Sequence, residues 1–316
     1  MNMLALRIVV AVFLIAIGAL GILGNLAVLF TISINKRFHV MRYLFLVSLA
    51  VSDFIIVALV VPFHIASKLY EELEFSTVQC KAITFLTRAL YCCTTFHLIA
   101  VSYDRYLAIV KSPLTYNQHT TKAKTLLLVA FAWILPFATA AGPLFAIWED
   151  TFSFSARLYH CDICHGWDVH SRNQLTRSIV YFVAAFAVPL LTIAWLNFKV
   201  FKRATLVERE IITQQAQVSH STQPQQNSRR EHKAAKDVAV VLGVYLLCYL
   251  PAWTAILCRQ VLPLNSLPVV VGFVTNGLLL SKSVWNPVIY CIRKREFRGA
   301  LKMMLRCKRA RAGTDE

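Results

Sequence analysis

The sequence IVVAVFLIAIGALGILGNLAVLFTISIN occupies positions 8–35, and none of its 28 residues is charged. An α-helix rises 1.5 Å per residue, so about 20 apolar residues cross the ~30 Å hydrocarbon core of a bilayer. The stretch also exceeds the roughly 7–15 apolar residues of a signal peptide. We therefore interpret it as the first membrane-spanning helix.

Six more apolar windows of similar length follow in the 316-residue chain. They cover residues 43–67, 82–103, 125–148, 178–198, 238–258 and 261–281. Only the first two contain a charge, Asp53 and Arg88 respectively, and the windows lack the period-two alternation of strands. Because only helices or closed barrels span lipid, the sequence predicts an all-α membrane protein with a seven-transmembrane helix bundle over residues 1–292.

The basic residues lie mainly on one side of this predicted bundle. Under an alternating topology, that side holds 24 of the 33 lysines and arginines. Cytoplasmic loops are enriched in lysine and arginine, so we expect the N-terminus outside and the C-terminus in the cytoplasm of a plasma-membrane protein. The net charge of +17 then reflects topology and attraction to anionic lipid rather than binding to nucleic acid.

Three segments outside the spans have their own character. Residues 213–230 are rich in Gln and Ser and are predicted to form a disordered third inner loop. Residues 293–307 carry apolar side chains at helical spacing among basic ones, which is typical of a short amphipathic cytoplasmic helix on the membrane surface. Cys307 at its end is either a palmitoylation site or a free thiol. Residues 308–316 form a short cytoplasmic tail.

Each predicted span also carries one characteristic motif. In order they are Gly24-Asn25, Leu49 to Asp53, Asp104-Arg105-Tyr106, Trp133, Pro189, Cys248 to Pro251, and Asn286-Pro287-Val288-Ile289-Tyr290. This ordered set resembles the class A (rhodopsin-like) G-protein-coupled receptors over residues 10–307. The resemblance implies a receptor that couples to a heterotrimeric G protein, and it makes arrestin a second candidate partner. It implies no enzymatic activity, cofactor or metal.

The resemblance further implies an activation switch at the inner ends of the helices. Arg105 is expected to pair with Asp104 and Glu231 in the inactive receptor, and to release Glu231 when the sixth helix swings outward. The alternative is that Arg105 is satisfied by lipid headgroups. The remaining switch residues are Tyr106, Asn286, Pro287 and Tyr290.

The family also binds sodium at the aspartate of the second helix, which is Asp53 here. Thr94, Ser283 and Asn286 match the surrounding shell, but Lys282 replaces a residue that is neutral in the family. A buried ammonium beside a buried carboxylate satisfies both charges. We hypothesise that the Lys282 ammonium takes the place of the sodium ion; the alternative is that Lys282 faces lipid or water.

The candidate ligand-binding residues lie in the outer halves of the spans: Thr87, Arg88, Tyr91, Tyr249, Trp253, Arg259 and Asn276. Amine receptors of this family have an aspartate where Thr87 stands, so the ligand is predicted not to be a biogenic amine. Four cations near the mouth favour an anionic ligand: Lys68, Arg88, Arg177 and Arg259. Alternatively, each cation extends outward or pairs with acids of the outer loop.

The family pattern implies one disulfide, from Cys80 to the second outer loop. Cys161 is slightly preferred over Cys164 as the partner. The surrounding histidines could instead help to bind zinc, although an oxidising exterior favours disulfides. In the family, three aromatic residues of the fifth and sixth helices transmit activation. This chain has different residues at those positions: Tyr249, Tyr245 and Asn197.

The second interpretation is an opsin-like light receptor, and a channel or transporter is a third. Opsins hold retinal on a lysine six residues before the Asn-Pro motif, where this chain has Leu280. Lys282 is two residues further along, which is a rotation of about 200° around the helix. It is therefore not expected to face a retinal pocket. For the third interpretation, the sequence has neither an internal repeat nor rings of membrane charges.

Overall fold

The computed structural model describes the backbone of residues 3–70, 75–141, 151–155, 160–164, 176, 179–217, 240–258, 268–293 and 297–302. Within these ranges the side chains at 42, 113, 151–155, 160–164, 208–217 and 293 are not described. Helix dominates the described ranges, and the strands among them form one short hairpin.

Six of the described helices are long and apolar enough to cross a membrane. They are α1 (Met3–Ile34), α2 (Met41–Ile55, continuing to Leu69), α3 (Thr77–Val110), α4 (Lys122–Ala141), α5 (Ile179–Val207, continuing to Gln217) and α6 (Val240–Cys258). A seventh, α7 (Val269–Arg293), has 25 residues and a length of about 37 Å. It is more polar because it carries Lys282, Ser283 and Asn286 into the bundle. The predicted seven-helix bundle is confirmed.

The central helix is α3, which packs against α2, α4 and α5. It begins with a capping box, in which Ser76 Oγ accepts from the Gln79 backbone and Gln79 Oε1 accepts from the Ser76 backbone. It also contacts an antiparallel hairpin of β1 (Thr151–Ser155) and β2 (His160–Cys164). The hairpin, which helical patterning of the sequence did not predict, therefore packs against α3.

Two glycines let α1 approach its neighbours closely. A Cβ at Gly21 would lie 2.5 Å from Val57 Cγ1 of α2, and one at Gly24 would lie 2.9 Å from Pro287 Cβ of α7. Small residues at such contacts let helix backbones approach each other. Pro287 is therefore packed directly against α1.

Both α2 and α5 contain one π-helical turn, at Ile56–Val60 and Val183–Ala187. Each turn lies just before a proline, Pro62 or Pro189. Proline has no N–H and its ring crowds the carbonyl of the preceding turn, and a π turn opens the helix at such a point.

The predicted boundary of the third inner loop is wrong by a few residues. Helix α5 continues to Gln217, so residues 213–217 are helical where disorder was predicted. Glutamine and alanine are good helix formers, and low sequence complexity does not remove that propensity. Residues 218–239 lie outside the described part of the chain.

A short helix, α8 (297–302), follows α7. Phe297 is buried against the rings of Phe38 and Tyr290, at centroid distances of 6.4 Å each, whereas Arg298 and Lys302 are exposed. These residues fit the amphipathic helix predicted over 293–307. Cys307 and the tail lie outside the described residues.

Candidate functional site

Asp53 of α2 is the centre of a buried polar cluster. Its Oδ1 accepts hydrogen bonds from Lys282 Nζ at 2.9 Å and Ser283 Oγ at 3.1 Å, and its Oδ2 accepts from Asn286 Nδ2 at 2.7 Å. Asp53 is 0% exposed and Lys282 is 5% exposed. Three donors from α7 therefore surround a carboxylate that has no access to bulk water.

Two other helices complete this cluster. Lys282 Nζ also donates to Thr94 Oγ1 of α3. Asn25 of α1 donates to the carbonyl of Ser283 at 2.9 Å. A buried ion pair needs good geometry and satisfied hydrogen bonds to offset its desolvation, and this arrangement supplies both. The structure thus brings together all five residues predicted for the ion site: Asp53, Thr94, Lys282, Ser283 and Asn286.

Aromatic rings from the N-terminal part of α5 and from α6 form a second site. Trp253 contacts Tyr181, Phe182 and Phe186 at centroid distances of 5.6, 5.4 and 5.8 Å. Tyr249 stacks on Phe186 at 6.4 Å, with an interplanar angle of 9°. We call these five rings the aromatic box. Sequence reasoning had identified Tyr249 and Trp253 but missed the three rings of α5.

Arg88 of α3 lies beside the aromatic box. Its Cζ is 5.3 Å from the centroid of Tyr181, whose hydroxyl is 3.5 Å from Cys92 Sγ. Within the described ranges, no carboxylate forms a salt bridge with Arg88. A guanidinium presents five N–H donors in a planar fork, so Arg88 is chemically suited to bind an anion.

Tyr91 connects the aromatic box with the buried cluster. Its carbonyl accepts a hydrogen bond from the Tyr249 hydroxyl at 3.0 Å, and its ring centroid lies 5.5 Å from Lys282 Nζ. The Tyr91 hydroxyl is buried and has no hydrogen-bond partner among the described residues. Tyr91 of α3 therefore contacts both Tyr249 of the aromatic box, on α6, and Lys282 of the buried cluster, on α7.

The other predicted ligand residues are dispersed. Thr87 is partly buried on α3, whereas Arg259 lies outside the described residues. The Asn276 amide nitrogen is 3.4 Å from His64 Nδ1 of α2, away from the aromatic box. No contact in the described structure joins Asn276 to Arg88.

Lys68, at the end of the second span, was predicted to line the opening of the ligand site. The structure shows instead that it is buried. It is 2% exposed because α1 and α7 pack over it. Arg7 Nε of α1 donates to the Lys68 carbonyl at 2.9 Å, and the Phe273 ring of α7 lies 5.0 Å from the ammonium. The side chain of Arg177 is outside the described set.

A polar network between α2, α3 and α4 was missed in the sequence. His97 Nε2 is 2.6 Å from Ser48 Oγ, which accepts from Trp133 Nε1 at 2.8 Å, and His97 Nδ1 is 2.7 Å from the Cys93 carbonyl. His97 could have revealed this network in the sequence, because a histidine within a membrane span is costly unless it is hydrogen-bonded.

Near the C-terminal end of α3, Asp104 is buried and its Oδ2 is 4.0 Å from Arg105 Nε. The hydroxyl of Tyr116, from the loop helix Pro113–His119, donates to Asp104 Oδ1 at 3.4 Å. Tyr106 contacts Trp195 of α5 at 6.0 Å. The predicted partner Glu231 lies outside the described residues.

Cys80 is disulfide-bonded and fully buried near the N-terminal end of α3. The side chains of Cys161 and Cys164 are not described, so the choice between them, and the zinc alternative at the neighbouring histidines, lies outside the described residues. The five free cysteines of the described set are Cys92, Cys93, Cys248, Cys258 and Cys291.

Comparison with known proteins identifies relatives over the whole bundle. The family described as 7 transmembrane receptor (rhodopsin family) matches residues 24–290. The histamine H2 receptor of Rattus norvegicus is 26% identical over 98% of this chain and 82% of its own length. The octopamine receptor beta-2R of Chilo suppressalis is 26% identical over 93% and 78%, and trace amine-associated receptor 5 of Rattus norvegicus is 31% identical over 92% and 83%.

Among solved structures, squid rhodopsin shares the fold, with a TM-score of 0.83 and 20% identity over 96% of this chain and 86% of that chain. The family is one of receptors rather than enzymes, as the sequence predicted. This chain belongs to the rhodopsin family of seven-transmembrane receptors and is a multi-pass G-protein-coupled receptor.

Proposed function

We propose that this receptor lies in the plasma membrane with its N-terminus outside and its C-terminus in the cytoplasm. The orientation is supported by exposed basic side chains at one end of the bundle. They lie between α1 and α2 and between α3 and α4: Lys36, Arg37, Lys111, Lys122 and Lys124. Cytoplasmic loops are enriched in such residues.

The ligand that best fits the aromatic box is an anion with an aromatic or apolar body. The observation that carries this proposal is Arg88, a guanidinium beside the box without a described carboxylate partner. The acidic side chains of the described set are Asp53 and Asp104. Asp53 is occupied by its three α7 donors, and Asp104 is at the inner end of α3.

A biogenic amine is the second candidate. It is favoured by the names of the relatives, which are receptors for histamine, octopamine and trace amines. The aromatic box could also attract a cation through its ring faces. Against it, Thr87 offers no carboxylate, Arg88 places a positive charge beside Tyr181, and Lys282 places another beside Tyr91.

Matched pairs of small molecules distinguish the two candidates. Indole-3-propionate against tryptamine, and phenylacetate against benzylamine, change the charge while keeping the aromatic body. Purified receptor should be stabilised thermally by the acids and not by the amines, and the acids should activate G protein in cells.

Arg88→Gln should weaken the effect of the acids about 10–100-fold, because hydrogen bonds to charged groups contribute about 1.5–3 kcal/mol. Lys81→Gln, at the outer end of the same helix, is the matched control and should change little. Stabilisation by the amines, unaffected by Arg88→Gln, would support the amine candidate instead.

The buried cluster supports a proposal about regulation. The Lys282 ammonium acts as a tethered cation at the site where the family binds sodium, so activation is insensitive to sodium. The 2.9 Å contact with Asp53 supports this. An opsin-like receptor is disfavoured because Leu280, at the position of the opsins' retinal lysine, has no amine to form a Schiff base, and Lys282 points instead to Asp53.

The remaining assignments complete the proposal. Arg105 pairs with both Asp104 and Glu231 in the inactive state, and Cys80 is bonded to Cys161. Cys307 carries a palmitoyl chain at the end of the surface helix. Arrestin recruitment depends on the third inner loop rather than on the tail.

A further inference from the structure

A pair of rings joins α3 and α5 in their inner halves. Tyr106 and Trp195 lie 6.0 Å apart with an interplanar angle of 35°. A lysine caps each ring: Lys111 Nζ is 5.7 Å from the Tyr106 centroid, and Lys199 Nζ is 5.8 Å from the Trp195 centroid. We call these four residues the inner aromatic patch.

The depth of the patch follows from the length of α5. Twenty residues separate Ile179, where the apolar part of α5 begins, from Lys199. They span about 30 Å, which is the thickness of the hydrocarbon core. Lys199 therefore lies at the boundary between the hydrocarbon and the headgroups, and Trp195 lies about one turn inside it.

The surface above the patch is apolar and faces outward from the bundle. Leu191, Trp195 and Phe198 are 68%, 53% and 62% exposed. Their spacing of four and three residues puts them on one face of α5. This stripe extends from Lys199 toward the middle of the membrane.

We propose that the inner aromatic patch binds one anionic phospholipid of the inner leaflet. Its phosphate lies between Lys111 and Lys199, and one acyl chain follows the stripe of Leu191, Trp195 and Phe198. The described side chains of the patch and stripe include no acid, so a net negative headgroup is favoured over a zwitterionic one. The lipid bridges α3 and α5 at their inner ends.

The charges indicate the size of this preference. A lysine near the membrane surface contributes about 1 kcal/mol toward an anionic lipid, which is a factor of about five. Two lysines that converge on one headgroup should therefore enrich anionic lipid at the patch about 5–25-fold over phosphatidylcholine.

Trp195 provides its own probe, because bromine atoms on lipid chains quench tryptophan fluorescence on contact. The full-length receptor is reconstituted in phosphatidylcholine vesicles that contain a small fraction of either brominated phosphatidylserine or brominated phosphatidylcholine. The signal of Trp195 is the difference between the wild type and Trp195→Phe. Both leaflets have the same composition, so the result does not depend on the proposed orientation.

The brominated phosphatidylserine should quench Trp195 at a mole fraction at least fivefold lower than the brominated phosphatidylcholine. The double variant Lys111→Gln/Lys199→Gln should lose this preference. The control variant Lys36→Gln/Lys122→Gln removes two exposed inner lysines elsewhere and should keep it.

Three results would overturn the proposal. They are equal quenching by the two lipids, a preference that survives the Lys111/Lys199 variant, and an equal loss in the control variant, which would indicate general surface charge. Circular dichroism of each variant checks that its helical content matches the wild type.

Discussion

Replacing one member of the Asp53–Lys282 pair is expected to destabilise the receptor more than replacing both. The charged groups are 2.9 Å apart, with exposures of 0% and 5%, so water screens little of the charge that either would leave behind. Removing one partner of a buried pair costs about 3–5 kcal/mol, whereas replacing both by neutral groups is often close to neutral.

The local hydrogen bonds refine this magnitude. Lys282→Met should lie near about 3 kcal/mol, at the low end of that range, because Ser283 and Asn286 continue to donate to the carboxylate. Asp53→Asn should cost more, because the ammonium keeps Thr94 as a partner but loses its counter-charge. The double variant Asp53→Asn/Lys282→Met should recover most of the larger loss.

Thermal unfolding of the purified variants in one detergent measures the effect. One kcal/mol shifts Tm by about 2–4 °C in chains of 150–250 residues. The shift becomes smaller as the chain becomes longer, so we take about 2 °C per kcal/mol for this receptor. Each single variant should therefore lower Tm by about 5–10 °C and the double variant by about 0–3 °C. Lys302→Met, at an exposed position of α8, is the control and should leave Tm unchanged.

Additivity would contradict the reasoning. If the two single losses sum in the double variant, the groups do not interact, and the ion pair does not stabilise the folded receptor.

Four further predictions test the remaining proposals. Lys282→Asn should make G-protein activation sensitive to sodium, because it frees the carboxylate; responses that stay equal in sodium and in choline buffers would contradict the tethered cation. Asp104→Asn and Glu231→Ala should each raise ligand-independent signalling at matched expression, since each removes a contact of the inactive state; an unchanged basal signal argues against the switch. Cys80→Ser should sharply lower surface expression, and labelling of Cys80 in the folded wild type by a thiol reagent would rule out the disulfide. Deleting residues 308–316 should leave arrestin recruitment unchanged, because this segment contains only Thr314 as a phosphorylation site, and a large loss would show that the segment is required.

The membrane spans could be predicted because their cause is local in the sequence. A run without charges of about 20 residues has few alternatives to a spanning helix, and α1 corresponds to residues 8–35 with a few residues added at its outer end. The contact between Asp53 and Lys282 was accessible for a similar reason. Two opposite charges in the hydrocarbon region each need a partner, and few others were available.

The aromatic box and the position of Lys68 could not be predicted, because each depends on which helix faces which. Tyr181, Phe182 and Phe186 are ordinary apolar residues of a span until α6 brings Trp253 beside them. Likewise, nothing near Lys68 in the sequence indicates that Phe273, more than 200 residues away, covers its ammonium. The hairpin Thr151–Ser155 with His160–Cys164 was missed because its strands are five residues each and lie in a loop.

The π turn at Ile56–Val60 separates α2 into two parts that are out of phase. A π turn holds one residue more than an α turn, and each residue of an α-helix corresponds to a rotation of about 100°. If the same residues formed α turns instead, with Asp53 kept in place, the outer part, with His64 and Lys68, would be turned by about 100° around the helix axis. The number of residues in that turn, rather than their identity, therefore sets which neighbouring helices the outer end of α2 faces.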